Sequence, residues 1–310
     1  MAMVVMAYHW NNSFKRTPAL NFLTFAGGFS PVVVFFLISG FSIGHSITLN
    51  VRGFYTRRFN RIYPLYMIAV ILAGLSYFLI GKEMGSLSFV TFVGNLLLLQ
   101  QFGIDTIGSN LALWSLSIEC ACYALAVFFL KMNAKALGAI VAFSMTFFFF
   151  HNKFGLTEEI PVSNFAYMLG FWLIGFIWYR YGLIWPVRLL LIVTAVPLIF
   201  NARYDYYRYA WVWPVLFAFW ALSMSALPRL STRVVALFLF LGDLSYPLYL
   251  FHDPIFFICT YFLRWYHTWE CFGVVMVFAV LSLFLVDFPY RKMVRRNALR
   301  HAPPNLAQTT

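Results

Sequence analysis

Three ionisable side chains lie within or at the end of apolar runs, and their types could do chemistry. They are His9, Glu119 and His252. A charged side chain inside a membrane is costly, so an ionisable residue there marks function by default. Histidine has an unperturbed pKa of about 6.5 and can take up and return a proton near neutral pH. Two histidines and a carboxylate therefore predict general acid–base chemistry.

Each of the three also has a purely structural interpretation, which the sequence leaves open. Glu119 could bond to a neighbouring helix, and His252 could belong to a structural polar kink. His9 lies beside Tyr8 and Trp10 and could be an interfacial histidine. The acid–base role is therefore a hypothesis that depends on how the helices bring these residues together.

Two arginines at the start of another apolar run indicate an anion site. Arg58 and Arg61 lie in the segment RGFYTRRFNRIYPLY (52–66), and residues three apart share one face of a helix. Guanidinium groups bind phosphates through paired hydrogen bonds, so this pair would suit a phosphate-bearing cofactor that arrives from the cytosol. The four arginines of this segment could instead serve only as a topology anchor.

Two prolines interrupt the apolar run that contains His252. Pro247 and Pro254 each lack a backbone N–H, and we expect them to break the helix. Broken helices occur inside membranes where neighbouring groups or a water-filled cavity satisfy the freed backbone. We therefore predict a cavity wall at this break, formed by Ser245, Tyr246, Tyr249, His252 and Asp253.

The composition indicates which elements must position these residues. Of 310 residues, 62% are hydrophobic and 10% are charged, whereas soluble domains are about 45–50% apolar and about 25% charged. This excludes a soluble enzyme, a secreted disulfide scaffold and a disordered tail protein. The net charge of +12 does not indicate nucleic-acid binding, because the cations are not gathered on one solvated face. Long apolar runs with cationic breaks are typical of a protein that crosses the lipid bilayer repeatedly.

The apolar runs predict an all-α, polytopic integral membrane protein with about ten transmembrane helices. The first helix, over 1–10, is only half a span. The segment 88–103 contains polar Asn95, Gln100 and Gln101 and is interpreted as part of an outer loop. The remaining spans are predicted near 30–50, 62–80, 111–130, 136–150, 161–179, 186–201, 211–227, 236–262 and 271–288.

The distribution of Lys and Arg predicts the orientation. Of the 22 cations, 15 lie in 51–61, 131–135, 180–188, 228–235 and the residues after 288. Cytoplasmic loops carry the excess of Lys and Arg, so we expect this set and both termini to face the cytoplasm. We predict one membrane domain over 1–290 and a basic cytoplasmic tail over 291–310. The four cysteines lie in or beside apolar runs and are interpreted as small buried hydrophobes, so we expect no metal site.

Six segments, taken together and in order, resemble one known family. The chain resembles the acyltransferase type 3 integral-membrane family, which includes bacterial O-acetyltransferases of surface polysaccharides, lipopolysaccharide and peptidoglycan. The family's helix count agrees with the number of spans predicted above. The matching segments are VVMAYH (4–9), VFFLISGFSI (34–43), RRFNRIYPLY (57–66), ALWSLSIECACY (112–123), LGDLSYPLYLFHDP (241–254) and DFPYRK (287–292).

The resemblance implies roles for individual residues. His9 stands at the place of the family histidine that is thought to be catalytic, and Arg58 and Arg61 match an RxxR element associated with the acyl-CoA donor. Glu119 and His252 match two further motif positions and are expected to orient or polarise His9. The residues that the same motifs place around the substrate cavity are Ser39, Trp114, Ser245, Tyr246 and Tyr249.

One feature departs from the family pattern. The family has an arginine eleven positions before its histidine, whereas this sequence begins eight positions before His9. We therefore expect the first helix to be incomplete, either because the start codon is assigned too late or because the product is truncated.

The resemblance implies a membrane-embedded O-acyltransferase of the bacterial cytoplasmic membrane. The acyl group, expected to be acetyl, would move from cytosolic acyl-CoA to a hydroxyl of a cell-envelope glycan or glycolipid. His9 would be the general base or a transient acyl acceptor, with acetyl-CoA as donor and no metal. The alternatives are a transporter or flippase for a glycolipid or small solute, and a non-catalytic membrane scaffold.

Overall fold

The computed structural model describes residues 1–24, 28–80, 86–154, 162–182, 186–188 and 231–300, and its regular structure is helical throughout these ranges. This confirms the all-α prediction. The short elements are 3-10 turns at Pro18–Leu20 and Leu111–Leu113, a four-residue helix at Asn21–Thr24, and π-helical turns at Ile258–Phe262 and Leu283–Asp287. The main helices are α1 (Ala2–Ser13), α2 (Phe29–Leu49), α3 (Phe54–Ile80), α4 (Phe89–Leu96), α5 (Trp114–Lys131), α6 (Ala134–Phe154), α7 (Ser163–Tyr181), α8 (Thr232–Phe257), α9 (Thr268–Ser282) and α10 (Phe288–Arg300).

Within the described residues, five helical segments are long and apolar enough to cross a membrane. A shorter apolar stretch, Ala134–Phe150, lies in α6, and α7 covers the predicted span near 161–179. The predicted spans near 186–201 and 211–227 lie almost wholly outside the described residues. A multi-pass membrane protein is therefore confirmed, while the count of about ten crossings stays a prediction. The five segments are Phe29–Leu49, Phe54–Ile80, Leu111–Lys131, Thr232–Phe262 and Thr268–Val294.

The described residues between α3 and α5 form no helix long enough to cross a membrane, and the placement of 88–103 in an outer loop stays a prediction. Helix α4 has eight residues, or about 12 Å at about 1.5 Å per residue, which is too short for a crossing. The loop after it is fixed by buried side chains. Gln100 Nε2 donates to Tyr66 Oη at 2.8 Å and to the Leu113 carbonyl at 2.9 Å, and Tyr66 Oη donates to the Asn95 carbonyl at 2.6 Å. This network fixes the turn that begins α5.

Two glycines allow α2 and α7 to pack backbone against backbone. A Cβ on Gly40 would lie 1.9 Å from the Trp172 carbonyl oxygen, and a Cβ on Gly175 would lie 1.9 Å from that of Leu37. No side chain fits at either position. The close crossing of the two helices therefore explains why the segment 34–43 has a glycine at position 40. Its neighbour Ser39 points to α5, as described below.

Helix α8 continues through both of its prolines, so the predicted break is wrong. Pro247 and Pro254 both lie inside the α-helix, which passes into a π-helical turn only after Phe257. A proline removes the donor for the carbonyl four residues earlier, which for Pro254 is that of Leu250. This carbonyl accepts a hydrogen bond from Asn110 Nδ2 at 2.9 Å. A neighbouring side chain thus replaces the missing helical bond.

Candidate active site

The first and eighth helices bring a histidine and an aspartate into direct contact. His9 comes from α1 and Asp253 from α8, and the His9 Nδ1 to Asp253 Oδ1 distance is 2.7 Å. The carboxylate is an acceptor when ionised, so the neutral imidazole donates to it from Nδ1. The other ring nitrogen of His9, Nε2, then carries the lone pair. This is the tautomer in which a histidine serves as a base towards a substrate.

His252 is the third member of this cluster. Its Nε2 lies 3.2 Å from His9 Nδ1 and 3.4 Å from Asp253 Oδ1, and its Nδ1 lies 3.1 Å from the Leu248 carbonyl. A carbonyl oxygen can only accept, so His252 Nδ1 carries a hydrogen. In the neutral ring Nε2 is then an acceptor. It faces the same N–H of His9 that donates a hydrogen bond to Asp253. The structure thus brings His252 and His9 together, and the expected orienting role of His252 stays a prediction.

The Asp253 carboxylate is also held from the opposite side. Its Oδ2 accepts from the backbone N–H of Ala112 at 3.3 Å. Ala112 lies in the Leu111–Leu113 turn at the start of α5, where the free N–H groups and the helix dipole favour a negative charge. Sequence analysis grouped Asp253 with the cavity wall but did not include it among the catalytic residues.

The cluster is accessible only through His9. The side chain of His9 is 19% exposed, whereas those of His252 and Asp253 are 0% and 4% exposed. A substrate can therefore reach His9, while the other two support it from within the helix bundle. This difference makes His9 the only one of the three that could act on a substrate directly.

Glu119 belongs to a second polar cluster. Its Oε1 accepts from Ser39 Oγ of α2 at 2.6 Å and from the Tyr123 hydroxyl, which also lies 3.2 Å from Ser39 Oγ. Glu119 is buried and lies seven residues after Ala112, or about 10 Å further along at about 1.5 Å per residue. The carboxylate that orients His9 is thus Asp253, whereas we had expected Glu119.

The predicted cavity residues separate into different surroundings. The Tyr249 hydroxyl donates to the Ala112 carbonyl at 2.9 Å and lies 2.7 Å from Ser115 Oγ, and its ring centroid is 6.1 Å from that of His252. Tyr249 therefore borders the His9 cluster.

Ser39 belongs to the Glu119 cluster, and the remaining three cavity residues do not border His9 either. The Tyr246 hydroxyl donates to the Ile62 carbonyl of α3 at 2.8 Å. Ser245 donates to the Gly242 carbonyl of its own helix at 2.7 Å, and Trp114 is the half-buried first residue of α5. The hydroxyl of Ser245 therefore bonds within α8, and its place in a cavity wall stays a prediction.

The two predicted anion-binding arginines lie on the first turns of α3. Arg58 is half-buried, with its guanidinium carbon 5.8 Å from the centroid of the Phe54 ring, and Arg61 is exposed. Among the residues that the structure describes, no acceptor meets the buried Nε of Arg58. Both arginines are near enough to Glu119 to interact with it electrostatically. An anion at this end of α3 would supply acceptors for these donors.

The DFPYRK segment packs against the same turns of α3. Arg291 forms ion pairs with Asp243 of α8, at 2.9 Å, and with Asp287. The Tyr290 hydroxyl donates to Asn60 Oδ1 at 3.1 Å, and Asn60 lies between the two arginines in sequence. The segment thus fixes the α3 turns that carry Arg58 and Arg61.

Helix α8 runs between the two polar regions and sets their separation. Asp243 pairs with Arg291 in one region, and Asp253 contacts His9 in the other. The ten residues between them correspond to about 15 Å at about 1.5 Å per residue. A ligand whose phosphates bind near the arginines would need an extended arm to reach His9.

The His9 cluster could also hold a metal ion. The ligand atoms of His9, His252 and Asp253 all lie within 4.8 Å of one another. However, the 2.7 Å contact between His9 Nδ1 and Asp253 Oδ1 has the length of a charge-assisted hydrogen bond. A metal on Nδ1 would require that nitrogen to lose its hydrogen. The arrangement in the structure is that of a hydrogen-bonded dyad.

Comparisons with known proteins identify the family of this chain. A family model described as an acyltransferase domain matches residues 1–291. Acyltransferase MdmB from Streptomyces mycarofaciens is 38% identical over 99 residues, which cover 30% of this chain and 26% of that protein. No solved structure matches the chain. Because the family match spans nearly the whole chain, the protein belongs to the acyltransferase domain family.

Proposed function

We propose that this enzyme moves an acetyl group from cytosolic acetyl-CoA to a hydroxyl of a cell-envelope glycan or glycolipid. The observation that carries the proposal is the contact of His9 Nδ1 with Asp253, which leaves the other ring nitrogen of a partly exposed histidine to act as a base. A sugar hydroxyl is a poor nucleophile until a base takes its proton. Membership of the acyltransferase domain family favours this function over a transporter, a flippase or a non-catalytic scaffold.

The proposed reaction has one proton acceptor. His9 Nε2 takes the proton of the acceptor hydroxyl while the oxygen of that hydroxyl attacks the thioester carbonyl. The new C–O bond forms, the C–S bond breaks, and the proton passes from His9 to the departing CoA sulfur. Asp253 stabilises the imidazolium that forms in between, and its bond to Nδ1 fixes the ring. His252 lies behind the same N–H and limits the rotation of His9.

The proposed donor site is the turn that carries Arg58 and Arg61. The CoA phosphates would meet the two guanidinium groups at the cytoplasmic edge, and the pantetheine arm would extend along α8 towards His9. The Ser39–Glu119–Tyr123 cluster lies within electrostatic reach of Arg58. We propose that this cluster lines the path of the arm, which keeps Glu119 as a functional residue although it does not touch His9.

The acceptor is proposed to reach His9 from the face opposite the arginines. The excess of Lys and Arg predicts that the α3 turns are cytoplasmic, and the length of α8 separates them from the His9 cluster. In the bacterial cytoplasmic membrane this would let a cytosolic donor serve a glycan on the other side.

Label transfer in inverted vesicles tests this function. Vesicles from the native cells, with the cytoplasmic face outward, are given acetyl-CoA that carries ¹⁴C in the acetyl group. We expect label in the envelope carbohydrate fraction, and mild alkali should release it as acetate because O-esters hydrolyse and amides do not. EDTA should leave the rate unchanged, because the proposed base needs no metal.

Vesicles from cells that lack the protein are the control. Label that is absent, equal in both preparations, or stable to alkali would contradict O-acetyl transfer. A rate that EDTA abolishes and zinc restores would replace the histidine base by a metal mechanism.

A further inference from the structure

Asn110 replaces a hydrogen bond that proline removes from the catalytic helix. Pro254 has no N–H, so the Leu250 carbonyl has no helical donor. Asn110, fully buried and 140 residues distant in sequence, donates to this carbonyl from Nδ2 at 2.9 Å. The donor thus comes from the loop before α5 and not from α8 itself.

The same loop also contacts the catalytic carboxylate. Ala112, two residues after Asn110, donates its N–H to Asp253 Oδ2. The two contacts, at Leu250 and Asp253, lie on either side of His252 within one turn of α8. They connect the loop to the single turn that carries both partners of His9.

We propose that Asn110 is a positioning residue that sets the location of His252 and Asp253 relative to His9. The proposal rests on the proposed function, in which Asp253 orients the base. A shift of about 1 Å in a supporting group can lower a rate by about 100-fold. By donating to the carbonyl that Pro254 leaves free, Asn110 supplies the bond that keeps this turn of α8 helical, and so keeps His252 and Asp253 in place.

The Asn110 amide contributes through its nitrogen. Among the residues that the structure describes, no donor meets its Oδ1. Leucine has the same branched skeleton without the N–H, so Asn110→Leu removes this contact, and Asn110→Ala removes it without adding the larger methyl groups of leucine. The backbone N–H of Asn110 bonds to Ile107 and is unaffected by the change.

A rescue experiment tests the proposal. Pro254→Ala restores an N–H four residues after Leu250, so it can supply the bond that Asn110→Leu lacks. Pro247→Ala is the matched control, because it restores an N–H towards Asp243, which Asn110 does not contact. Initial rates with ¹⁴C-acetyl-CoA are measured in inverted vesicles for each single and double variant, with membrane levels determined by immunoblot.

We expect Asn110→Leu to lower kcat by about 10- to 100-fold with the KM for acetyl-CoA unchanged, because the arginines are untouched. Asn110→Leu/Pro254→Ala should recover most of this loss, and Asn110→Leu/Pro247→Ala should not. If Asn110→Leu does not accumulate, Asn110→Ala replaces it in the series with the same expected pattern.

The proposal is overturned if Asn110→Leu keeps the wild-type kcat, if Pro254→Ala gives no recovery, or if Pro247→Ala rescues equally well. His9→Ala is measured in the same series to separate this from the proposed function. A fully active His9→Ala would contradict the base itself. An inactive His9→Ala beside a fully active Asn110→Leu would contradict only the positioning role.

Discussion

At the scale of single residues, the two ring nitrogens of His9 have different partners. Nδ1 is bound to Asp253 and faces His252, and Nε2 is the nitrogen that this contact leaves with the lone pair. The carboxylate therefore decides which nitrogen bears the lone pair. This asymmetry makes the charge of Asp253, more than its shape, the property on which the reaction depends.

Asp253→Asn tests that dependence. Asparagine has the same shape but no charge, and its NH₂ can face His9 Nδ1 and stabilise the other tautomer. We expect kcat for acetyl transfer to fall by at least about 100-fold, with normal membrane levels. Asp105→Asn is the matched control, because Asp105 is exposed in the loop after α4. Equal rates for the two variants would show that Asp253 does not orient the base.

Arg58→Gln tests the donor site. The change removes a guanidinium whose buried Nε meets no acceptor among the described residues. Hydrogen bonds to charged groups contribute about 1.5–3 kcal/mol, so the KM for acetyl-CoA should rise by about tenfold or more, with kcat less affected. Arg52→Gln, an exposed arginine in the preceding loop, is the control. An unchanged KM would place the phosphates elsewhere.

Only part of this site could be predicted from the sequence. His9 and His252 could be predicted to meet, since both are ionisable groups at motif positions. Asp253 could not be chosen over Glu119, because both carboxylates lie in apolar spans and spacing along the chain gives no distance between α1 and α8. The one feature of the sequence that pointed to Asp253 was its position directly after His252.

At the scale of elements, the α2–α7 crossing explains why a motif carries glycine. Gly40→Ala should force the helices apart, because its Cβ would lie 1.9 Å from the Trp172 carbonyl oxygen. Overpacking costs about 1–3 kcal/mol, so we expect a lower Tm in detergent. Gly138→Ala in α6 is the control, since its Cβ would meet no described atom within 4 Å. A Tm equal to that of the control would mean that α2 and α7 do not pack this closely.

The elements were predicted well where apolar length decides them and less well where a neighbour intervenes. The five described crossings lie close to the apolar runs that predicted them. The break in α8 was predicted from its prolines alone, whereas the helix continues through both, and at Pro254 the missing donor comes from Asn110, 140 residues away. Intrinsic propensity cannot anticipate a tertiary hydrogen bond of this kind.

At the scale of the whole molecule, the proposed reaction requires the two polar regions to open to opposite sides of the membrane. The orientation rests on the distribution of Lys and Arg, and it places the arginine turns inside. The proposed domain boundary at 290 and the cytoplasmic tail follow from the same distribution and stay predictions.

Cysteine labelling tests the orientation. Lys15→Cys lies in the loop after α1 and Arg52→Cys in the loop after α2, both at exposed positions. A membrane-impermeant maleimide should label Lys15→Cys from outside in right-side-out vesicles and Arg52→Cys only in inverted ones. The unsubstituted protein is the background control, since three of its four cysteines are buried. The reverse pattern would invert the topology and place the donor site on the outer face.

The rate of acetyl transfer by His9→Ala, measured with ¹⁴C-acetyl-CoA in inverted vesicles, tests the catalytic base most directly. His45→Ala is the matched control, because His45 is exposed near the far end of α2 and bonds Tyr179 at 3.2 Å. We predict a loss of at least about 100-fold for His9→Ala at normal membrane levels, and a wild-type rate for His45→Ala. A His9→Ala variant that transfers acetyl as fast as the wild type would contradict the account.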